Sequence, residues 1–285
     1  MASLAYCLRQ LCYKNRHGSH TTQKNRRNML ELFARQLKEG GYKLPQASSI
    51  KPKHVTHLVE RWQTQDKLSV KTIKNRMAVL RWWSSAVNKA SIIPRTNKEL
   101  GIGRRTQTGN RSQDLDPKQL AKLKNPRYRS SLRLQVSFGL RLEESLKFRV
   151  SFADRGDHIA IKGTWAKGGR PRVIPITTQE QRDLLNEIHQ TAGNGSMIAD
   201  DKSYVQGLND FKACCRQAGI KNIHGHRYHY AQTRYKQLAG FDCPYRGKNK
   251  QSLTAEQQRI DKQTRADVIE ELGHGRSRET KTYLG

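Results

Sequence analysis

Residues 158–176 read HIAIKGTWAKGGRPRVIPI. Two short runs, HIAIKG and RVIPI, are rich in β-branched residues and flank the glycine-containing AKGGRP, the pattern of an antiparallel β-hairpin. Around this hairpin the apolar spacing is helical. Upstream, residues 22–39 place Met29, Leu32, Phe33 and Leu37 on one face and end at Gly40 and Gly41. Residues 52–65 do the same with Val55, Leu58, Val59 and Trp62, and residues 69–90 follow with Ser69 as a plausible N-cap. Downstream, helices are expected over 116–124, 129–147, 178–191, 203–218, 224–239 and 264–272, and a last short one reaches Tyr283. The expected fold is mainly α with a small antiparallel β-sheet.

The periodicity fails between Pro94 and about Asp114, where Arg, Thr, Gly, Asn and Gln dominate. This predicts a helical domain over 1–94, a basic extended linker over 95–113, and an α+β domain over 114–285. Net charge is +30, with 54 Lys and Arg against 24 Asp and Glu. Both halves carry the excess, so it is no basic tail. Such a surface repels itself unless a polyanion is present, and nucleic acid is the commonest one. No apolar run approaches the 18 residues that a membrane helix needs, and no segment reads as a signal peptide. Cys7, Cys12, Cys214, Cys215 and Cys243 form no CxxC pair and show no zinc-finger spacing with histidine. They read as free thiols of a reducing cytoplasm.

Four motifs carry chemistry. Residues 139–145, GLRLEES, put Arg141 at a helix start with Glu144 three residues on. Lys167 sits at the hairpin turn, followed by Gly168 and Gly169. Residues 224–227, HGHR, place His224 and Arg227 on one face near a helix N-terminus, where an anion is favoured. Residues 272–274, LGH, precede Tyr283 by nine residues from His274. Read singly, each motif is ordinary: a surface ion pair, a turn lysine, structural histidines, a packed tyrosine. Their order is not.

Arg, Lys, His-x-x-Arg, Leu-Gly-His and Tyr in this sequence resemble the active-site signature of the tyrosine recombinase (phage integrase) family. The resemblance is strong over residues 112–285, and residues 20–105 are more loosely similar to the family's all-α SAM-like core-binding domain. Glu144 and Thr280 also fit the family's pattern. Two departures stand out. There are 46 residues between Arg227 and His274, about twenty more than the family usually has, the surplus lying in 241–265 and expected to form a surface loop. Only Leu284 and Gly285 follow Tyr283, where many relatives carry a tail that docks on a neighbouring subunit.

The resemblance implies site-specific cutting and rejoining of DNA strands through a 3′-phosphotyrosine on Tyr283, integrating or excising a mobile element. It implies that Arg141 and Arg227 hold the phosphate with bidentate hydrogen bonds, assisted by His274. His224 is expected to be the base for the tyrosine, and Lys167 the acid for the departing 5′ oxygen. No cofactor and no metal are expected, and no GxxxxGK(S/T) loop for ATP occurs. The expected partners are double-stranded DNA, three further subunits of a homotetramer, and accessory DNA-bending or directionality proteins. The expected location is the cytoplasm, on nucleoid DNA when bound. Backbone contacts are assigned to Lys71, Lys74 and Arg76 in the first domain and to Arg104, Arg105 and Arg111 in the linker. A cleavage-inactive DNA-binding protein of the same fold and a type IB topoisomerase are the alternatives.

Overall fold

A computed structural model of the chain describes residues 3–104, 109–247, 250–275 and 279–285. It divides into two compact units, Met1–Thr106 and Gln107–Gly285.

Among the described residues the first unit contains four α-helices: α1 (Leu4–Lys14), α2 (His20–Glu39), α3 (Pro52–Thr64) and α4 (Val70–Ala86). Serine caps start three of them: Ser3, Ser19 and Ser69 each accept a hydrogen bond from the backbone N–H three residues on. The stripes read from the sequence converge on Leu30, Phe33, Leu37, Leu58, Trp62, Met77, Leu80 and Trp83, all essentially inaccessible. Each such side chain contributes roughly 1.5–3 kcal/mol by burial. The two indole N–H groups are matched, Trp62 donating to Gln36 Oε1 (2.9 Å) and Trp83 to the Ala47 carbonyl (3.0 Å). Helix α1, which buries only Leu4 and Leu8, was not expected; a pair of leucines is too little to make a visible stripe.

The stretch 95–113 is held at both ends. Arg81 donates to the Pro94 carbonyl and to Asn97 Oδ1, and Ile102 is buried in the first core. At the other end Gln113 N–H donates to the Gly225 carbonyl, and Asn222 to that of Arg111.

The second unit runs α5 (Pro117–Ala121), α6 (Pro126–Phe138), α7 (Leu142–Lys147), α8 (Val150–Ala153), β1 (His158–Ile161), β2 (Arg172–Pro175), α9 (Gln179–Ala192), α10 (Tyr204–Gln217), α11 (Gly225–Ala239), α12 (Ala255–Glu271) and α13 (Thr280–Leu284). The hairpin pairs antiparallel, with Ile159 opposite Ile174 and Ile161 opposite Arg172. Helix α6 packs against α9 and α11, and α11 packs against α12 and α13.

Two sequence expectations need correction. The single helix over 129–147 is two helices, broken at Gly139, whose φ of +60° is left-handed. A side chain there would collide with the Tyr230 ring, so glycine is required on both counts. The stretch 241–265 is not simply a loop: α12 begins at Ala255, capped by Thr254, and it buries Asp261, Thr264 and Arg265. A polar helix anchored by charged side chains shows no apolar stripe, so its first half was illegible.

Candidate active site

The break at Gly139 builds the first part of the site. Because the chain restarts as α7, Arg141 is its N-cap, and Glu144 folds back to accept the Arg141 backbone N–H at 2.7 Å. Glu144 Oε1 also accepts from Arg141 Nη1 at 2.8 Å. Arg172, the first residue of β2, closes on the same carboxylate with both ends of its fork, at 3.0 and 2.7 Å, and its Nε donates to the Glu271 carbonyl. Glu144 is fully buried. Burial alone would raise its pKa, but the hydrogen bonds and charge of Arg172, the Arg141 N–H and the charge of Arg227 hold it down at about 2. The result is a permanent buried anion that orients Arg141.

Arg227 comes from the first turn of α11 and is buried. Its two terminal nitrogens donate to the carbonyls of Gly139 and Leu272, and its Nε donates to the Tyr283 hydroxyl at 3.3 Å. Burial lowers its pKa to about 10, so it stays cationic at neutral pH. Helix α12 ends at Glu271 with Leu272 as its C-cap, and Gly273, with φ +64°, turns the chain so that its carbonyl accepts from Arg141 Nη2 at 3.2 Å. His274 follows, and its Nε2 lies 3.1 Å from the Tyr283 hydroxyl. Burial and the charges of Arg227, Arg141 and Arg172 depress the His274 pKa to about 3. With Arg227 donating, the neutral imidazole is the group that can accept the tyrosine proton.

Tyr283 is thus enclosed on α13: its ring lies 4.6 Å from that of Tyr228, and its hydroxyl touches Arg227 and His274. His224 is placed differently. As N-cap of α11 its ring is exposed and 6.4 Å from the Tyr283 ring, packed edge-on to Tyr228. Crowding by the protein around it, then Arg227, Arg141 and Arg111, lower its pKa even so.

Five of the six residues singled out in the sequence therefore converge. Lys167 does not join them: it is exposed in the turn, with Gly168 and Gly169 both at positive φ. Arg170, farther round the same loop, does reach the site, its guanidinium lying against Gly275 beside His274. Sequence reasoning missed Arg172, whose partner Glu144 lies 28 residues away; only its position opening the second strand hinted at it.

Of the residues assigned to backbone contacts, Lys71 is exposed and Lys74 half-buried on α4. Arg76 is otherwise engaged: it pairs with Asp66 at 3.5 Å and stacks over Trp62. Arg104 is exposed, Arg111 is exposed with its carbonyl held by Asn222 just before α11, and Arg105 lies outside the described residues. The first unit also has a basic cleft of about 520 Å³ between α1 and α2, lined by Arg9, Arg16, His20, Lys24 and Arg27. It escaped notice because α1 did. Among the described residues no cluster of three or more His, Cys, Asp or Glu could hold a metal ion, and no helix is long and apolar enough to cross a membrane.

Two family models match the chain: the phage integrase N-terminal domain over residues 1–92 and the integrase domain over 105–233, which contains Arg141, Lys167, His224 and Arg227. The chain belongs to the phage integrase family of tyrosine recombinases. His274 and Tyr283 lie beyond the matched residues, and the geometry above is what joins them to the rest. No curated protein sequence matches it. Among solved structures, a recombinase similar to it is a lambda integrase dimer bound to a core site, at 15% identity and a TM-score of 0.65, covering 100% of this chain and 96% of that one. The Tn1549 transposon integrase in complex with circular intermediate DNA gives 14% identity and 0.58, covering 100% and 96%. A lambda integrase tetramer bound to a Holliday junction gives 15% and 0.60, covering 84% and 74%.

Proposed function

We propose that this recombinase cuts and rejoins double-stranded DNA at specific sites through a 3′-phosphotyrosine on Tyr283, integrating or excising a mobile element. The observation that carries this reading is the Tyr283 hydroxyl held between a cationic donor, Arg227, and a neutral acceptor, His274. Arg141 stands next to both, one carbonyl away at Gly273. A scissile phosphate beside that hydroxyl would meet Arg141 and the remaining N–H groups of Arg227, which stabilise the charge that grows on its non-bridging oxygens.

As Tyr283 attacks, its proton passes to His274, rather than to His224 as the sequence suggested. The phosphate's own negative charge offsets the arginines that depress His274 and raises its basicity at that moment. His224, neutral and at the rim, serves as a hydrogen-bond donor to the phosphate. Lys167, on a turn that its two glycines leave deformable, protonates the departing 5′ oxygen. The bond energy kept in the phosphotyrosine lets the strand rejoin without ATP, and the side chains named supply the charge without a metal or other cofactor.

Both units bind DNA in this reading. The contacts are Lys71, Lys74, Arg104, Arg105 and Arg111, joined by the cleft of Arg9, Arg16, Lys24 and Arg27. The working assembly is a homotetramer on two attachment sites, with accessory DNA-bending or directionality proteins, on nucleoid DNA. A suicide DNA site whose cut strand diffuses away tests the chemistry: covalent protein–DNA adduct is expected from the wild type. No adduct would overturn the reading. Strand exchange between two sites distinguishes recombination from a topoisomerase's relaxation alone.

A further inference from the structure

The hydroxyl of Tyr283 is fixed by Arg227 and His274, and the other end of the same residue is fixed too. Its backbone carbonyl accepts a hydrogen bond from Gln232 Nε2 at 3.0 Å. Gln232 is fully buried on α11, five residues beyond Arg227, or about 7.5 Å along the helix axis. One helix thus grips the nucleophile at two points.

The Gln232 amide is saturated. Its nitrogen donates to the Tyr283 carbonyl and to Asn110 Oδ1 (2.7 Å), and its oxygen accepts from Asn110 Nδ2 (3.3 Å) and Arg246 Nε (3.2 Å). With acceptors on one side and a cationic donor on the other, the amide has a single allowed orientation. Asn110 is fixed in turn by donating to the Tyr245 carbonyl (3.2 Å) and by accepting the Ser112 N–H (3.0 Å). The residues beyond it lie along α11, through Gln113 to the Gly225 carbonyl and His226, and Asp114 to His229. The inserted stretch 241–265 takes part as well: Tyr245 and Arg246 complete the cluster, and Arg265 Nη1 donates to the Gly285 carbonyl at 3.0 Å.

We infer that Gln232 is a positioning residue for the nucleophile, and that the Asn110–Gln232 amide pair couples the strap 109–114 to the seating of Tyr283. The strap carries Arg111, so a DNA backbone held there acts on the nucleophile's placement without touching it. This inference rests on the recombinase reading above.

The test is single-turnover cleavage of the suicide site at saturating DNA, alongside the Kd for the same DNA. Gln232→Glu keeps the oxygen that accepts from Asn110 and Arg246 but cannot donate to the Tyr283 carbonyl. The expected result is a roughly ten-fold or greater fall in cleavage rate, the scale of losing one buried hydrogen bond that aligns a reacting group, with Kd within about two-fold of wild type. Asn110→Ala, which removes no atom that touches Tyr283, should lower the rate similarly. The double variant should be no slower than Gln232→Glu alone, since both act through one bond. Should Gln232→Glu fail to fold, Asn110→Ala alone decides. Wild-type cleavage rates in the variants, or rate and affinity falling in step, would overturn the inference while leaving the reading intact. A wild type that forms no adduct would remove both.

Discussion

Among the described residues the first unit buries just three polar side chains, Gln36, His54 and Ser84, whereas the second buries Glu144, Arg227, Gln232, Asp261, Arg265 and Glu271 among others. The first core is apolar, so most of its charge is left towards the surface, with exceptions such as Arg76 paired to Asp66. The second has moved charge inward, where every ion needs a counter-ion or a carbonyl to offset its desolvation. This difference separates two jobs that net charge alone conflates. Surface cations hold DNA with an affinity that salt weakens. Buried ions hold a geometry that salt hardly touches.

The sharpest break in the comparison is at Tyr283. Tyr283→Phe should abolish covalent adduct and leave DNA affinity at the wild-type level, because only the hydroxyl is lost and the ring stays packed on Tyr228. Adducts trapped from the Phe variant would refute the assignment. Next in size is Arg141→Ala, expected to slow cleavage on the order of 10²–10³-fold. Lys167→Ala should be slow as well, but differently. A substrate whose bridging 5′ oxygen is sulfur leaves without a proton, and it should restore most of the rate to the Lys167 variant and none to the Arg141 variant. Equal rescue of both, or of neither, would show that Lys167 only holds the phosphate.

The buried ions predict a pH signature in stability. Glu144 lies at about 2 in the folded protein against 4.5 ordinarily. Its contribution is therefore complete above about pH 4.5 and is lost as pH falls towards 2. His274, at about 3 against 6.5, adds a loss that begins near pH 6.5 and continues down to 3, since the unfolded chain takes up a proton that the folded site refuses. Glu144→Gln leaves two arginines beside an uncharged amide and should cost about 3 kcal/mol at pH 7. A series of Tm against pH should show the 6.5-to-3 slope weakened in His274→Gln. An unchanged slope would mean that the imidazole is not held neutral.

The smallest effects belong to the surface. Removing Lys71 or Lys74 should flatten the log–log dependence of Kd on salt by about 0.9 for each phosphate no longer neutralised. Arg76→Ala should leave that slope alone and lower Tm instead, because its charge is already paired with Asp66. A reduced slope in the Arg76 variant would return it to the DNA-binding set.

Most of the candidate site was legible because its residues follow the order of the family signature they resemble, while the chemistry accounts only for their types. Helices with an apolar stripe, and the hairpin with its alternating branched residues, were legible from period alone. What escaped was made of non-local hydrogen bonds. Arg172 and Gln232 are ordinary letters until folding brings Glu144 and the Tyr283 carbonyl to them. Choosing between His224 and His274 as the proton acceptor needed a distance, not a spacing. The break at Gly139 hid inside an apolar run, and the early start of α12 hid because Asp261 and Arg265 anchor it where an apolar stripe was sought.

The three bonds of Arg227, to Gly139, to Leu272 and to Tyr283, tie together stretches that lie up to 144 positions apart in the chain. The guanidinium is therefore a rivet of the second core as well as the proposed partner of the phosphate. A descendant that had given up cutting DNA and kept only binding would still need this arginine to fold. Its presence is thus a poor diagnostic of activity in relatives of this chain. The exposed Lys167, which no core requires, is where a loss of activity would first be written.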